Sequence, residues 1–580
     1  MKVKLVHDPI LNDYGKNLLR ARGIQDVDKF LNPDESCLQD WRDLENIEKG
    51  FELIIKLRPN AEVGMIVDCD VDGFTSASIM GQYLKTLYPH ISISYYLHDG
   101  KAHGLEEHWK DIKDENYALL IVPDAGSNDS EYAKEINCPI LVLDHHLVED
   151  PISAPNMTII NNQLSPKYRN KNLSGAGVVY QFCRGLDETI GRDIVSQFID
   201  LAALGICGDM MSGLEIENQY FWKKGFSQIN NYFFMSIARK QAYSITGKMG
   251  ATDKDIIDAL NPISVAFYIV PLINAMVRVG TQDEKERMLM AFLDGHQMVE
   301  SHKRGAKGTM EEVAIESARE CTNARSKQNK ILDNAVELLE QKIFKYDLLE
   351  NQILFVRLDE EKFPSELNGL LAMKLSQKYK HPTIVARLND QGFDRGSIRG
   401  LSNSELISFK EYLDSTGLCE YVMGHDNAAG ISINDDNLSE LHRIANKDLS
   451  QFDFGDSYYE ADFARQALSD DLPNLIYDLA SYKEVWSQQN NEPLIYVKDL
   501  HFKFSDVQIM GKNKDTVKIV KNGVAYMKFF AKDMIEELQQ HQELKMEIVG
   551  KANLNEWMGT VTPQIFIENY EIMEDKLIDF

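Results

Sequence analysis

No two of the seven cysteines form a Cys-x-x-Cys pair, which excludes a disulfide framework and a structural zinc site. The N-terminal Met1-Lys-Val-Lys-Leu-Val-His-Asp8 lacks the apolar core and small-residue cleavage site of a signal peptide. No apolar run is read as approaching the roughly 18 residues that cross a bilayer, so a cytoplasmic protein without a membrane partner is expected. Internal repeats and low-complexity tracts are also lacking. Positive charge is scarce: 62 Lys and Arg stand against 90 Asp and Glu, a net charge of −28. That balance argues against tight, non-specific binding to duplex nucleic acid. It does not exclude a nuclease, because cations neutralise clustered carboxylates locally and a single-strand groove needs only local basic and stacking residues.

What is present is an ordinary globular composition, 44% hydrophobic and 26% charged, over 580 residues, long enough for several domains. Short aliphatic runs alternate with amphipathic stretches between about Glu62 and Asp209, the pattern of βαβ units and a parallel sheet. Leu11–Arg22 reads as an amphipathic helix ended by Gly23. The stretch from Leu289 to Leu349 is charged, helix-prone and free of proline, and predicts a bridging helix or helical pair. Ile353–Leu358 and Thr383–Leu388 frame a helix at Glu366–Lys380, a second α/β unit. Beyond the polar segment at 488–491, the runs at Leu494, Thr516, Val524 and Gln564 alternate at the spacing of a small β-barrel.

Four acidic clusters stand where apolar runs give out: Asp68-Cys-Asp70-Val-Asp72-Gly73, Pro123-Asp124-Ala-Gly126, Asp144-His145-His146 and Gly208-Asp209-Met210. Ligands of parallel sheets collect beyond the carboxyl ends of the strands. Carboxylates and imidazoles delivered there together call for cations, since burying them unpaired is costly. Asp68, Asp70 and Asp72 fall on one side of an extended chain, and Gly73 permits a sharp turn into the next helix. Carboxylates with imidazole favour Mn²⁺, with Mg²⁺ as the alternative, and two such ions can clamp a phosphodiester for attack by water. A calcium loop opening at Asp68 is disfavoured, because its twelfth position is Ile79 instead of an acid. Any one cluster is ordinarily a solvated loop; four in succession are not.

These residues resemble the DHH phosphoesterase family, and within it the RecJ-like single-strand DNA exonucleases. Asp144-His145-His146 is similar to the name-giving motif. The clusters at Asp68, at Asp124 and at Leu204-Gly-Ile-Cys-Gly-Asp209 resemble the first, second and fourth motifs. The likeness extends to Arg22-Gly-Ile24 with Phe30-Leu-Asn-Pro33, to Pro271–Arg278, to Gly396-Ser397-Ile-Arg399, to Gly424–Gly430 and to Asn555–Gly559 with Gln564. It implies a 1–50 helical segment, a 51–240 parallel-sheet DHH domain, a 241–350 helical connector, a 351–450 α/β DHH-associated domain and a 451–580 linker with an OB-fold barrel. It also implies metal ligands at Asp68, Asp70, Asp72, Asp124, His145 and Asp209, with Asp124 bridging two ions. Asp144, His146 and Asp124 are then the catalytic residues, His146 facing the scissile phosphate. The sequence departs from the family at Asp99-Gly-Lys101-Ala-His103-Gly104-Leu105, where lysine and histidine replace an arginine-containing stretch before a Gly-Tyr-Gly-like turn.

Nucleic-acid contacts are expected from Asn274, Arg278, Ser397, Arg399, Gly424 and His425, with guanidinium forks suited to phosphate oxygens. Tyr526, Phe529 and Trp557 are candidate stacking faces, although aromatics at strand spacing also suit a barrel core. The resulting expectation is a 5′→3′ exonuclease of single-stranded DNA that uses two Mn²⁺ or Mg²⁺ ions in repair, recombination or replication. It is expected to be a monomer, with a helicase or single-strand-binding protein as partner. The rivals are an oligoribonuclease or cyclic-dinucleotide phosphodiesterase with the same metal chemistry, and a non-catalytic replication scaffold.

Overall fold

The computed structural model describes residues 1–6, 12–100, 102–148, 154–306, 308–358, 363–401, 403–557 and 559–573. The chain divides into two compact units. The first comprises Ile24–Gln328 together with Glu484–Asn491, and the second Met1–Gly23, Asn329–Lys483 and Glu492–Phe580.

The first unit is built on a sheet of five parallel strands: β1 (Glu62–Val67), β2 (Ser92–Leu97), β3 (Leu119–Pro123), β4 (Ile140–Asp144) and β5 (Met157–Asn161). Their spatial order is 2-1-3-4-5. Every residue of β3 and β4 is buried, which explains why these strands read as unbroken aliphatic runs and not as alternating ones. One face of the sheet packs Ile66, Leu120, Val122, Ile140 and Val142 against Leu105, Ile112 and Ala133. The order reverses direction between β1 and β3, and such a switch point opens a crevice beyond the carboxyl ends of those two strands.

Helix α1 (Val71–Leu87) leaves β1 directly and is buried on nearly all sides. Asp70 caps it by accepting from the Gly73 N–H at 2.9 Å. Helices α2 (Gly175–Ile190) and α3 (Ile199–Gly208) are likewise buried over most of their length. The apolar stretch Pro262–Val279 is the exception to the expectation that no run reaches spanning length. It is long and apolar enough by composition, yet 61% buried, and it folds as the short helix Pro262–Tyr268 followed by α4 (Val270–Val279).

The helix-prone segment after Leu289 is not continuous. Helix α5 (Gln282–Leu293) ends before a hairpin of Met298–Glu300 with Met310–Glu312, and only then does α6 (Val313–Lys345) begin. Gly305 and Gly308, at φ 85° and 82°, turn that hairpin. Helix α6 crosses the boundary at Gln328, so its two halves belong to different units.

The second unit contains two sheets of five and seven strands. In the first, β6 (Leu354–Arg357), β7 (Thr383–Leu388), β8 (Phe393–Arg399), β9 (Cys419–His425) and β10 (Ala428–Asn434) lie in the order 9-10-8-7-6, with only β6 and β7 parallel. The other runs through β11 (Phe463–Gln466), β12 (Leu494–Lys503), β13 (Gln508–Met510), β14 (Thr516–Lys521), β15 (Val524–Lys528), β16 (Glu543–Trp557) and β17 (Thr560–Met573), in the order 11-12-16-17-15-14-13. The N-terminal residues Lys2–Leu5 form a parallel strand on Tyr458–Ala461. The helix after them is Tyr14–Ala21, and the Gly15 N–H donates to Asp478 at 2.8 Å.

Leu120 is fully buried in the crevice-bearing sheet. Replacing it with alanine is expected to destabilise the first unit by about 2–5 kcal/mol, read as a lowered urea midpoint for the transition that reports this unit, without a change in slope.

Candidate metal centre

The crevice receives carboxylates from four places. Asp68, Asp70 and Asp72 come from the β1–α1 turn, Asp124 from the end of β3, Asp144 with His145 and His146 from the end of β4, and Asp209 from the end of α3. The fourth cluster therefore follows a helix and not a strand. Asp68, Asp72, Asp124 and Asp144 are each 1% exposed. Asp124 adopts a left-handed backbone at φ 66°, a conformation that costs a non-glycine residue about 1–3 kcal/mol and is retained where surroundings enforce it. Gly175 lies so close that a Cβ there would collide with the Asp124 carboxylate, and a Cβ on Gly205 would collide with that of Asp72.

His145 is the hub. Its Nε2 lies 3.2 Å from Asp124 Oδ1, 3.4 Å from Asp209 Oδ2 and 3.8 Å from Asp72 Oδ2. Neither His145 Nε2 nor Asp124 Oδ1 has a hydrogen-bond partner, although both atoms are buried. Ligands at right angles on an ion with bonds near 2.1 Å lie about 3 Å apart, so this spacing suits donors that share a cation. The donor set, carboxylate oxygens with one imidazole, suits Mn²⁺ and its neighbours, and carboxylates alone suit Mg²⁺. The residues fit the group.

The surroundings of each acid differ. Asp72 accepts from Ser174 Oγ at 2.8 Å, Gly175 N at 2.6 Å and Ala176 N at 3.0 Å. It thus sits on the positive end of α2, whose N–H groups compensate its charge. Burial and the charges of Asp68 and Asp72 push the Asp70 carboxyl up to about 6. Burial, then the charges of Asp72 and Asp70, push Asp124 and Asp209 well above the usual carboxylate range. Burial pushes His145 down, leaving a neutral imidazole suited to ligation.

Asp144 does something else. Its Oδ1 accepts from the backbone N–H of His145 at 2.7 Å, that of His146 at 3.1 Å and His146 Nδ1 at 2.8 Å, while Oδ2 accepts from Ser127 N at 3.0 Å. Burial alone would raise its pKa, but the hydrogen bond and charge of His146 outweigh that and hold it below the usual range. In the other direction, burial lowers His146 and Asp144 more than reverses this, taking the imidazole up to about 9. Asp144 is a positioning residue: it folds the loop that aims His145 inward and leaves the His146 side chain 49% exposed.

Asp68 also turns away from the His145 hub. Its Oδ2 accepts from His103 Nδ1 at 2.7 Å and its Oδ1 from Gly104 N at 3.4 Å, with buried His98 Nε2 at 3.7 Å. His98, His103 and the α2 N-terminal residues Ser174 and Ala176 were not among the expected site residues. The role of the Ser174-Gly-Ala-Gly177 opening of α2 as a carboxylate cradle carries no signature in the sequence. Among the expected nucleic-acid contacts, Arg278 lies near Asp70: burial lowers its pKa and the Asp70 charge opposes this. Arg325 bears on it too and was not anticipated. Asn274 lies one helical turn before Arg278 on α4.

Ser397, Arg399, Gly424 and His425 lie in the second unit. Arg399 donates to Ile398 O at 2.6 Å and lies over Gly369, whose missing Cβ leaves room for the guanidinium. Gly424 has φ 135°, and His425 beside it is exposed. Tyr526 is fully buried, so the barrel core claims its ring and no face remains for a base. Phe529 is 47% exposed and packs edge-on against Phe566. Lys101 and the Trp557 side chain lie outside the described residues.

Without metal, Asp124 and Asp209 hold protons that the unfolded chain releases near 3.8. Stability must then fall as pH rises past that value, until the folded groups themselves ionise. The metal-free protein is expected to lose thermal midpoint as pH rises above the ordinary carboxylate value of 3.8, with Asp124→Asn flattening the profile and abolishing the rise on adding Mn²⁺. Asp144→Asn is expected to weaken Mn²⁺ binding about 10–100-fold, as for lost groups that orient a ligand, measured by calorimetry.

Residues 62–206 match the DHH family, N-terminal domain, and residues 467–569 the RecJ OB domain. A Bacillus subtilis protein described as "Putative SPbeta prophage-derived single-strand DNA-specific exonuclease YorK" is 34% identical over 99% of both chains. The single-stranded-DNA-specific exonuclease RecJ of the same species is 24% identical over 97% of this chain and 68% of its own. Among solved structures, RecJ of Thermus thermophilus in complex with Mn²⁺ superposes with a TM-score of 0.71 at 19% identity, covering 99% of this chain and 80% of that one. The same protein in complex with Mg²⁺ gives 0.66. A crevice lined by the family's acid and histidine motifs, a barrel after it and full-length likeness to such relatives lead to one assignment: the chain belongs to the DHH phosphoesterase family, in its RecJ-like branch.

Proposed function

We propose that this protein is a metal-dependent exonuclease that hydrolyses the phosphodiester bonds of single-stranded DNA in the 5′→3′ direction. The observation that carries the reading is the convergence of Asp72, Asp124 and Asp209 oxygens on His145 Nε2, where that nitrogen and Asp124 Oδ1 are buried without a hydrogen-bond partner. Buried acids gathered without cationic side chains among them are costly unless cations join them. Asp70, Asp72, Asp124, His145 and Asp209 would hold one or two Mn²⁺ or Mg²⁺ ions. Such ions polarise a phosphate and supply a nucleophilic water at neutral pH. The chain's own residues do the rest. His146, oriented by Asp144, presents Nε2 towards the scissile phosphate, and Arg278 offers a fork to an adjacent one.

The relatives' names supply the substrate class, and the polarity follows the family likeness. Ser397, Arg399, Gly424, His425 and solvent-facing Phe529 are further candidates for holding the strand. The setting we infer is cytoplasmic DNA repair, recombination or replication, with a helicase or single-strand-binding protein as partner.

The test uses 5′- and 3′-labelled single strands, duplexes and dinucleotides, with and without Mn²⁺ or Mg²⁺. Metal-dependent release of nucleotides from the 5′ end of long single strands is expected, with His145→Ala reducing the rate by about 10³-fold or more. Preference for dinucleotides would instead support an oligoribonuclease, and failure to bind Mn²⁺ a non-catalytic scaffold.

A further inference from the structure

Two couples of a buried aspartate with an exposed imidazole stand at this crevice, and the proposed chemistry uses one of them. In the first, Asp144 Oδ1 holds His146 Nδ1 at 2.8 Å, the aspartate 1% and the histidine side chain 49% exposed. In the second, Asp68 Oδ2 holds His103 Nδ1 at 2.7 Å, with 1% and 60% exposure. Both aspartates stand at the carboxyl edge of the same sheet, and both histidines turn Nδ1 towards them.

The loop that carries His103 is built and anchored. Gly104 donates to Asp68, and Leu105 N donates to Asp129 Oδ2 at 2.7 Å. Gly104 adopts φ 61°, and a Cβ there would strike the Asp129 carboxylate. Buried His98 pairs its Nδ1 with Glu107 at 3.0 Å, and its Nε2, without a hydrogen-bond partner, lies 3.7 Å from the same Asp68 carboxylate. The Cys69 thiol stands beside the His103 ring, 3.8 Å from Nδ1 and 4.0 Å from Nε2. A histidine 60% exposed, docked through one ring nitrogen on a buried carboxylate at the edge of an acidic crevice, is placed to meet a ligand. The ring lies near Asp70, whose carboxyl it helps to hold down. Nε2 is the ring atom that Asp68 does not occupy.

We propose that His103 is a substrate-binding residue: docked through Nδ1 on Asp68, it donates from Nε2 to a phosphate oxygen of the bound strand. In this arrangement Asp68 is a positioning residue that acts through His103. The proposal rests on the single-strand reading above and adds a contact that the DHH motifs do not contain.

The probe is a single-stranded dT oligonucleotide with phosphorothioate linkages, which resist cleavage, bound to the full-length protein in Mn²⁺ at several salt concentrations. His103→Ala is expected to weaken binding roughly tenfold at low salt. It should also reduce the slope of log affinity against log salt by about 0.7, the share of one phosphate on a single strand. Asp68→Asn should lose slope similarly, by releasing the imidazole. His103→Gln, which keeps a donor without charge, should recover affinity but not slope. Mn²⁺ affinity of His103→Ala, measured by calorimetry, should stay within about twofold of the parent. Unchanged affinity and slope in His103→Ala would overturn the proposal, as would loss of Mn²⁺ binding by that variant with an intact thermal midpoint. A parent protein that binds no oligonucleotide would instead defeat the single-strand reading itself.

Discussion

Everything about the first unit is arranged around negative charge held out of water. Three carboxylates aim oxygens at one imidazole nitrogen within 3.8 Å, and none of the three is paired to a lysine or arginine among the described residues. Left alone, such a cluster costs several kcal/mol per ion in desolvation and more in mutual repulsion. The fold offsets part of this with backbone. Helix α2 turns its first N–H groups on Asp72, and Asp70 caps α1 through Gly73. Protons on Asp124 and Asp209, whose pKa values burial raises, offset part of the remainder, and a bound cation would compete with those protons, linking ion binding to the stability of this region.

The same constraint explains small residues that look unremarkable in the sequence. Gly175 and Gly205 are needed because carboxylate oxygens occupy the space where their Cβ atoms would be. Asp124 tolerates φ 66° because its backbone must leave β3 and turn into the crevice within one residue, and its N–H still bonds Leu143 O at 2.8 Å. Strain at the end of a strand, close packing at the start of a helix and unpartnered atoms between them are facets of one requirement. Four separate chain segments must approach within ligand distance.

The acidic balance of the chain takes a clearer meaning in this light. Some of its formal negative charge lies in acids whose burial raises their proton affinity, as at Asp70, Asp124 and Asp209. A net charge is therefore a poor guide to the local field that a phosphate backbone meets. Exposed imidazoles at His103 and His146, each backed by a buried aspartate, and the half-buried Arg278 are basic groups that stand near these acids.

Much of this was legible in the residues. The aliphatic runs before Asp68, Asp124 and Asp144 are parallel strands because only fully covered strands can be apolar on both faces. The helix expected after Gly73 is present but starts earlier, at Val71 with Asp70 as its cap, so Gly73 lies inside it, where a Cβ would strike the Asp68 backbone. The hairpin between α5 and α6 escaped, since helix-prone charges outweighed the glycines that turn the chain. The pairing of Lys2–Leu5 with Tyr458–Ala461 escaped as well, because no local pattern encodes a partner more than 450 residues away. Composition and motif spacing alone determined which residue types could bind cations and which local elements would carry them. Strand order, which periodicity does not report, decided the rest. By placing β3 beside β1 it let Asp72 and Asp124 share His145, while the turn after β2 drew Asp68 to His103.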